Sequence, residues 1–269
     1  MNTNPKSAGL QQSRIKKHIE ELDSYRFFNL LTGPKLFSIV EKLLPKYRER
    51  SYPPTETLSM FLSQTMSADR SCQNIANKMA VKRIDNRLLV HNTHTGSYCI
   101  ARQRLPVSLI SELVRCTGKL IEEQLPVHWC LQGRPVKLVN GTTVTMPDTL
   151  KNQEAYPRQR GQKAGLGFPI CRIVGIISLA SGTVLDAAIG PYKGKGANEQ
   201  TLFRGRLDSF DAADIVLGDA FFSTYFFLAE FIARGVDAVL SKMGHEKSRL
   251  IFARDKNWVG KIIWSPMRG

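Results

Sequence analysis

The stretch V-K-L-V-N-G-T-T-V-T, Val136 to Thr145, follows Pro135 and marks the point where the chain changes character. It is dense in valine and threonine, whose branched Cβ suits a pleated strand, so a strand is expected there. Beyond it, residues 148–169 read as a long loop, with Pro147, Pro157, Pro169 and several glycines. Cys171 to Leu179 and Thr183 to Ile189 then read as two strands joined at Ser181-Gly182, a hairpin signal. A helix is expected over Ala197 to Leu207 and a short buried strand over Asp214 to Leu217, ending at Gly218-Asp219. A second helix over Ser223 to Arg234 is stopped by Gly235, and a strand follows over Val236 to Leu240. Residues 250–264 resemble the start of further β structure. The order β-β-β-α-β-α-β predicts an α/β sheet.

N-terminal to Val136 the pattern is helical. Leu58, Phe61 and Leu62 recur at helical spacing, and Ile75, Met79 and Val81 follow a polar turn, Ser67-Ala68-Asp69-Arg70. Pro106 precedes Leu109, Ile110, Leu113, Leu120 and Ile121, another amphipathic run that Pro126 closes. Pro53 to Arg83 fits either a helix-turn-helix or two packed helices of a bundle.

The formal net charge is +15. Residues 1–125 carry 19 basic against 11 acidic side chains, and the remainder carries 19 against 12. The excess is spread over the whole chain, which points to a polyanion touching both halves, nucleic acid first. The five cysteines, Cys72, Cys99, Cys116, Cys130 and Cys171, are odd in number and form no C-x-x-C pair. Reduced thiols of a cytoplasmic protein are therefore expected in preference to disulfides or a zinc site. The polar start MNTNPKSAGLQQS has no apolar core of a secretion signal, and Phe221 to Ala233 is too short to span a bilayer.

Several segments together carry a family resemblance. L-V-N-G-T-T-V-T-M-P-D-T (Leu138 to Thr149) resembles the first catalytic strand of DDE-type transposases of bacterial insertion sequences, the group with a β-rich insertion before the last catalytic helix. In that family the strand normally reads D-G-T-T. Q-K-A-G-L-G-F-P (Gln162 to Pro169), A-I-G-P-Y-K-G-K-G (Ala188 to Gly196), L-G-D-A-F (Leu217 to Phe221) and T-G-S-Y-C-I-A-R-Q-R-L-P (Thr95 to Pro106) are similar to other parts of the family. The resemblance implies an RNase H-like catalytic core preceded by an all-α N-terminal domain, with the start of a β-rich insertion at the C-terminus. It divides the chain into a helical DNA-binding domain, residues 1–130, and an incomplete transposase core, residues 131–269.

The implied chemistry is cleavage and joining of double-stranded DNA at element ends by a homodimer. In-line attack on a phosphodiester uses two Mg²⁺ (or Mn²⁺) ions about 3.5–4 Å apart, which need hard oxygen ligands. The family supplies two Asp and one Glu. Asp219 matches the second Asp. Asn140 stands where the first should be; its amide oxygen carries no charge and cannot bridge two cations. The Glu normally lies in a tyrosine-arginine-glutamate-lysine motif on a helix after the insertion. The chain ends at Gly269, which the resemblance puts inside that insertion, so the third ligand is expected to be absent. Glu230 and Glu246 have no matching context, and Asp148 after Pro147 reads as the exit turn of the strand. Catalytic inactivity is therefore expected, with a non-catalytic DNA-binding remnant or an inhibitor of an intact transposase as the alternative.

Candidate DNA contacts are Lys193 and Lys195 in a Gly-rich turn before a helix, Arg158, Arg160 and Lys163 in the long loop, and Tyr98, Arg102 and Arg104 in the helical region. Such contacts to phosphates give affinity without sequence information. The run G-P-Y-K-G-K-G (Gly190 to Gly196) fails the P-loop spacing and lacks its Ser or Thr, and Glu199 stands where a dinucleotide fingerprint needs its third Gly. His91 and His94 lack partners that would complete a metal site and read as surface histidines.

Overall fold

The computed structural model describes residues 42–44, 52–157, 167–194 and 196–241, and the backbone of Leu250–Ala253. The chain divides into two compact units, residues 1–113 and 114–269. Among the described residues no helix is long and apolar enough to cross a membrane.

In the first unit the described residues form helices: α1 (Pro54–Met66), α2 (Cys72–Asp85), α3 (Thr95–Gln103) and the start of α4 (Val107–Glu122), within which the division falls. Proline at the first position of α1 costs no hydrogen bond, because that N–H has no partner inside the helix. Ser71 caps α2 by accepting from Asn74 N at 3.1 Å. Tyr52, Met60, Ile75, Met79, Tyr98 and Ala101 make one apolar core. The polar turn expected at residues 67–70 does separate α1 from α2.

The second unit is α/β. Its strands are β1 (Val136–Thr145), β2 (Ile170–Ser178), β3 (Val184–Pro191), β4 (Ile215–Gly218), β5 (Asp237–Ser241) and β6 (Leu250–Ala253). They form one mixed sheet in the order β3-β2-β1-β4-β5-β6. The pairs β1–β2, β2–β3 and β5–β6 are antiparallel, whereas β1–β4 and β4–β5 are parallel. The β2–β3 connection turns at Gly182, whose φ of +71° is one that glycine adopts without steric cost.

Three helices belong to this part of the chain: α5 (Leu150–Ala155), α6 (Glu199–Arg204) and α7 (Tyr225–Ala233). Strand alternation puts Val139, Val174, Ile176, Val216, Ala238 and Leu240 on one sheet face. There they pack in one cluster with Phe203 of α6 and with Phe222, Phe227 and Phe231. Phe203 is central, with four phenylalanine rings 5.0–6.0 Å away. Expectation and structure differ in the ends of several elements. The helix expected over Ser223 to Arg234 spans only Tyr225–Ala233, capped by Thr224. Residues 148–169 are not wholly loop: Thr149 accepts from Asn152 N at 3.2 Å and starts the six-residue α5. The helix expected over Ala197 to Leu207 is shorter, because Asn198 caps it and it ends at Gly205.

Candidate functional site

The parallel pairing of β1 with β4 runs from Val136↔Ile215 to Val139↔Gly218. Asn140 is the next residue of β1 after that last pair, and Asp219 is the residue that follows the end of β4. Both are exposed. Since Val139 points into the core, Asn140 stands on the opposite face of the sheet. On its other flank Asn140 pairs with Gly175 of β2, where a side chain would meet open space.

Asp219 is held at the strand exit. Its Oδ1 accepts from Phe221 N at 2.9 Å and caps a short 3-10 turn over Ala220–Phe222. Gln200 of α6 donates to Phe221 O at 2.7 Å and ties that turn to the helix. Gly218 has a packing reason: a Cβ there would lie 2.9 Å from Leu240 Cδ2 and 3.6 Å from Phe222. The face carrying Asn140 also bears an apolar groove of about 410 Å³, lined by residues including Trp129, Val136, Leu217 and Val239.

Glu199 is a neighbour that spacing did not reveal. Its carboxylate lies against the α-carbon of Gly141, where an added Cβ would be only 2.2 Å from it. Arg172 Nε stands 3.8 Å from Glu199 Oε1 and its guanidinium lies over the Tyr192 ring at 5.0 Å. Glu199 is therefore on the core side of β1, opposite Asn140. Among the described residues no three His, Cys, Asp or Glu side chains gather into a group that could hold a metal ion. Asp148 accepts from Gln153 Nε2 at 2.7 Å, in keeping with an exposed exit turn.

At the other end of β1, Lys137 is 3% exposed, on the core side of the sheet. Its ammonium lies 2.7 Å from Asp214 Oδ2 and 3.6 Å from Glu122 Oε2, and donates to Ser209 O at 2.9 Å. Burial pushes the Glu122 carboxyl above its ordinary value, with Asp214 adding to the rise and Lys137 opposing it. A lysine in an apolar strand was the available signal, but its carboxylates come from distant segments.

The expected DNA contacts fare unevenly. Lys193 and Arg104 are exposed. Tyr98 is not a surface residue: it is fully buried, and its hydroxyl donates to Gln64 Oε1 at 2.8 Å. Arg102 is half-buried, bonded to the same Gln64 oxygen at 3.2 Å and stacked over Phe61 at 4.8 Å. The turn at Lys193 leads into a helix of only six residues with Glu199 in its first turn, a poor phosphate cradle because the acid repels an anion. Lys195, Arg158, Arg160, Lys163 and Glu246 lie outside the described residues. His94 is exposed, whereas His91 packs edge-on to Tyr52 at 5.3 Å, and burial lowers its pKa.

Neither the protein-family models nor the curated proteins compared with this chain give a match.

Proposed function

We propose that this chain is a DDE-type transposase of the insertion-sequence kind, with an RNase H-like core, that binds double-stranded DNA and whose metal site is crippled at Asn140. The observation that carries the proposal is the β1–β4 pairing, whose last pair, Val139 with Gly218, immediately precedes the two residues that the family resemblance singles out 79 positions apart. The strand order supports it too: three antiparallel strands open the sheet, and two parallel strands follow on the far side of β1. The charge of +15, spread over both halves, supports a DNA partner.

The donor set does not fit a pair of divalent cations. Asn140 offers a neutral amide oxygen, and Asp219 offers one carboxylate whose Oδ1 already accepts from Phe221 N. One formal negative charge faces the four positive charges of two such ions. These two residues by themselves do not support in-line phosphoryl transfer.

The same deficit favours a second reading, a non-catalytic DNA-binding remnant or inhibitor of an intact transposase. Both readings require DNA binding. Fluorescence anisotropy with a labelled duplex tests it: if six or more phosphates are contacted, affinity falls roughly 10³-fold or more between about 50 and 200 mM salt. Unchanged affinity across that range would refute a phosphate-dominated interface, and absence of binding at low salt would remove both readings. Strong Mn²⁺-dependent nicking by the unaltered chain, abolished by Asp219→Ala, would keep the transposase assignment but overturn the crippled site.

A further inference from the structure

The helical unit contains a group of side chains that the proposed function does not use. Cys72 is the first residue of the 14-residue α2, and Cys99 lies in α3. Their sulfurs are 3.8 Å apart, with Cys99 donating its S–H to Cys72 Sγ. Two further donors converge on Cys72 Sγ: Gln64 Nε2 and Arg102 Nη1, each at 3.5 Å. Both thiols are free and only partly buried. Cys99 and Arg102 also line a cavity of about 510 Å³, with Phe61, Leu105, Val107 and Ile110 on its apolar walls.

We propose that Cys72 and Cys99 are a peroxide-responsive dithiol pair that closes to a disulfide tying α2 to α3. Three features carry this. A sulfur at a helix N-terminus beside an arginine is in the setting where cysteines act as nucleophiles. A second thiol is already in contact with it, poised to resolve the oxidised sulfur. The cavity opens onto Cys99, whose sulfur touches that of Cys72. Burial and the hydrogen bond to Cys72 raise the Cys99 pKa.

The chemistry balances with a peroxide as oxidant. Cys72 sulfur attacks one peroxide oxygen; the O–O bond breaks, the thiol proton and the departing oxygen leave as water, and Cys72 becomes a sulfenic acid. Cys99 sulfur then attacks the Cys72 sulfur and displaces the hydroxyl, which takes the Cys99 proton and leaves as a second water. Two thiols lose two electrons and the peroxide gains them. The sulfurs must approach from 3.8 Å to about 2.05 Å, the length of a disulfide.

The test uses the full chain, reduced, desalted and treated with hydrogen peroxide, then digested with trypsin without reductant. The expected product is a linked pair of peptides, residues 71–78 and 88–102, with an intact mass lower by two hydrogens. A phosphine reductant should restore both thiols. Cys72→Ser should remove the link, and Cys99→Ser should leave a sulfenic acid at Cys72 that dimedone traps. Oxidation of Cys72 and Cys99 to sulfinic acids without a link would overturn the proposal. So would links scattered among Cys116, Cys130 and Cys171, or no reaction under conditions that oxidise free cysteine. The peptide map of the unaltered chain decides the matter whether or not the variants fold.

Discussion

Asn140→Asp turns a neutral amide into a carboxylate whose neighbour across β1 and β4 is Asp219. The two side chains start from strands about 4.8 Å apart. Two unit charges about 5 Å apart repel by roughly 0.8 kcal/mol in water and about 3 kcal/mol at an effective permittivity near 20. Both positions are exposed, so the lower value governs, about 1 kcal/mol. In a chain of this size that lowers the melting temperature by roughly 2–4 °C in the presence of a chelator. A divalent cation shared by the two carboxylates reverses the sign. At a hundred times its dissociation constant it stabilises by about 2.7 kcal/mol, which raises the midpoint by roughly 5–10 °C. The assay is thermal unfolding by circular dichroism of the parent, Asn140→Asp, Asp219→Asn and the double variant, in EDTA and in millimolar Mg²⁺ or Mn²⁺. The parent should respond little and Asn140→Asp strongly, and adding Asp219→Asn should cancel the response. An equal cation response in parent and variant, or one that survives the loss of Asp219, would refute a shared ligand position.

Three further outcomes follow from the packing. Because burial raises the Glu122 carboxyl in the folded state, folding favours its protonated form; this contribution is complete below the ordinary glutamate value of about 4.3 and is lost as pH rises through the raised one. The stability of the parent relative to Glu122→Gln, followed by urea unfolding across that window, should therefore fall with rising pH, and a flat or rising difference would contradict the burial argument. Phe203→Ala removes a fully buried ring among four others and should cost about 3–5 kcal/mol in the same assay; a loss below about 1 kcal/mol would mean that the site collapses around the missing ring. Tyr98→Phe removes the hydroxyl that donates to Gln64 and should cost about 1 kcal/mol while leaving DNA affinity unchanged. If the proposed DNA binding is found and is selectively lost in this variant, the buried, non-contacting place of Tyr98 would be contradicted.

The two units differ in how much local sequence could say about them. Val136 to Thr145 reads as a strand and is one, residue for residue, because a run of branched side chains after a proline leaves the backbone little choice. The hairpin at Ser181-Gly182 and the later strands are legible for the same reason, and the order of elements carries the sheet with it. What local pattern leaves undetermined is which partner a side chain finds. Tyr98 and Arg102 read as an aromatic and basic pair fit for a phosphate backbone. Yet Gln64, on another helix, offers one oxygen to both and draws the tyrosine into the core. Cys72 and Cys99 look isolated along the chain and meet only because α2 and α3 pack together. Lys137 has an ordinary place in the alternation of β1, but its neutralising carboxylates come from the end of α4 and the residue before β4. In each case the deciding contact joins segments far apart in sequence, and a buried polar group is stable only where such a contact exists. The proposed pairing of Asn140 with Asp219 would belong to that class too. Spacing alone could not join two residues so distant; the parallel register of β1 and β4, which runs to Val139 and Gly218, brings the segments that carry them side by side.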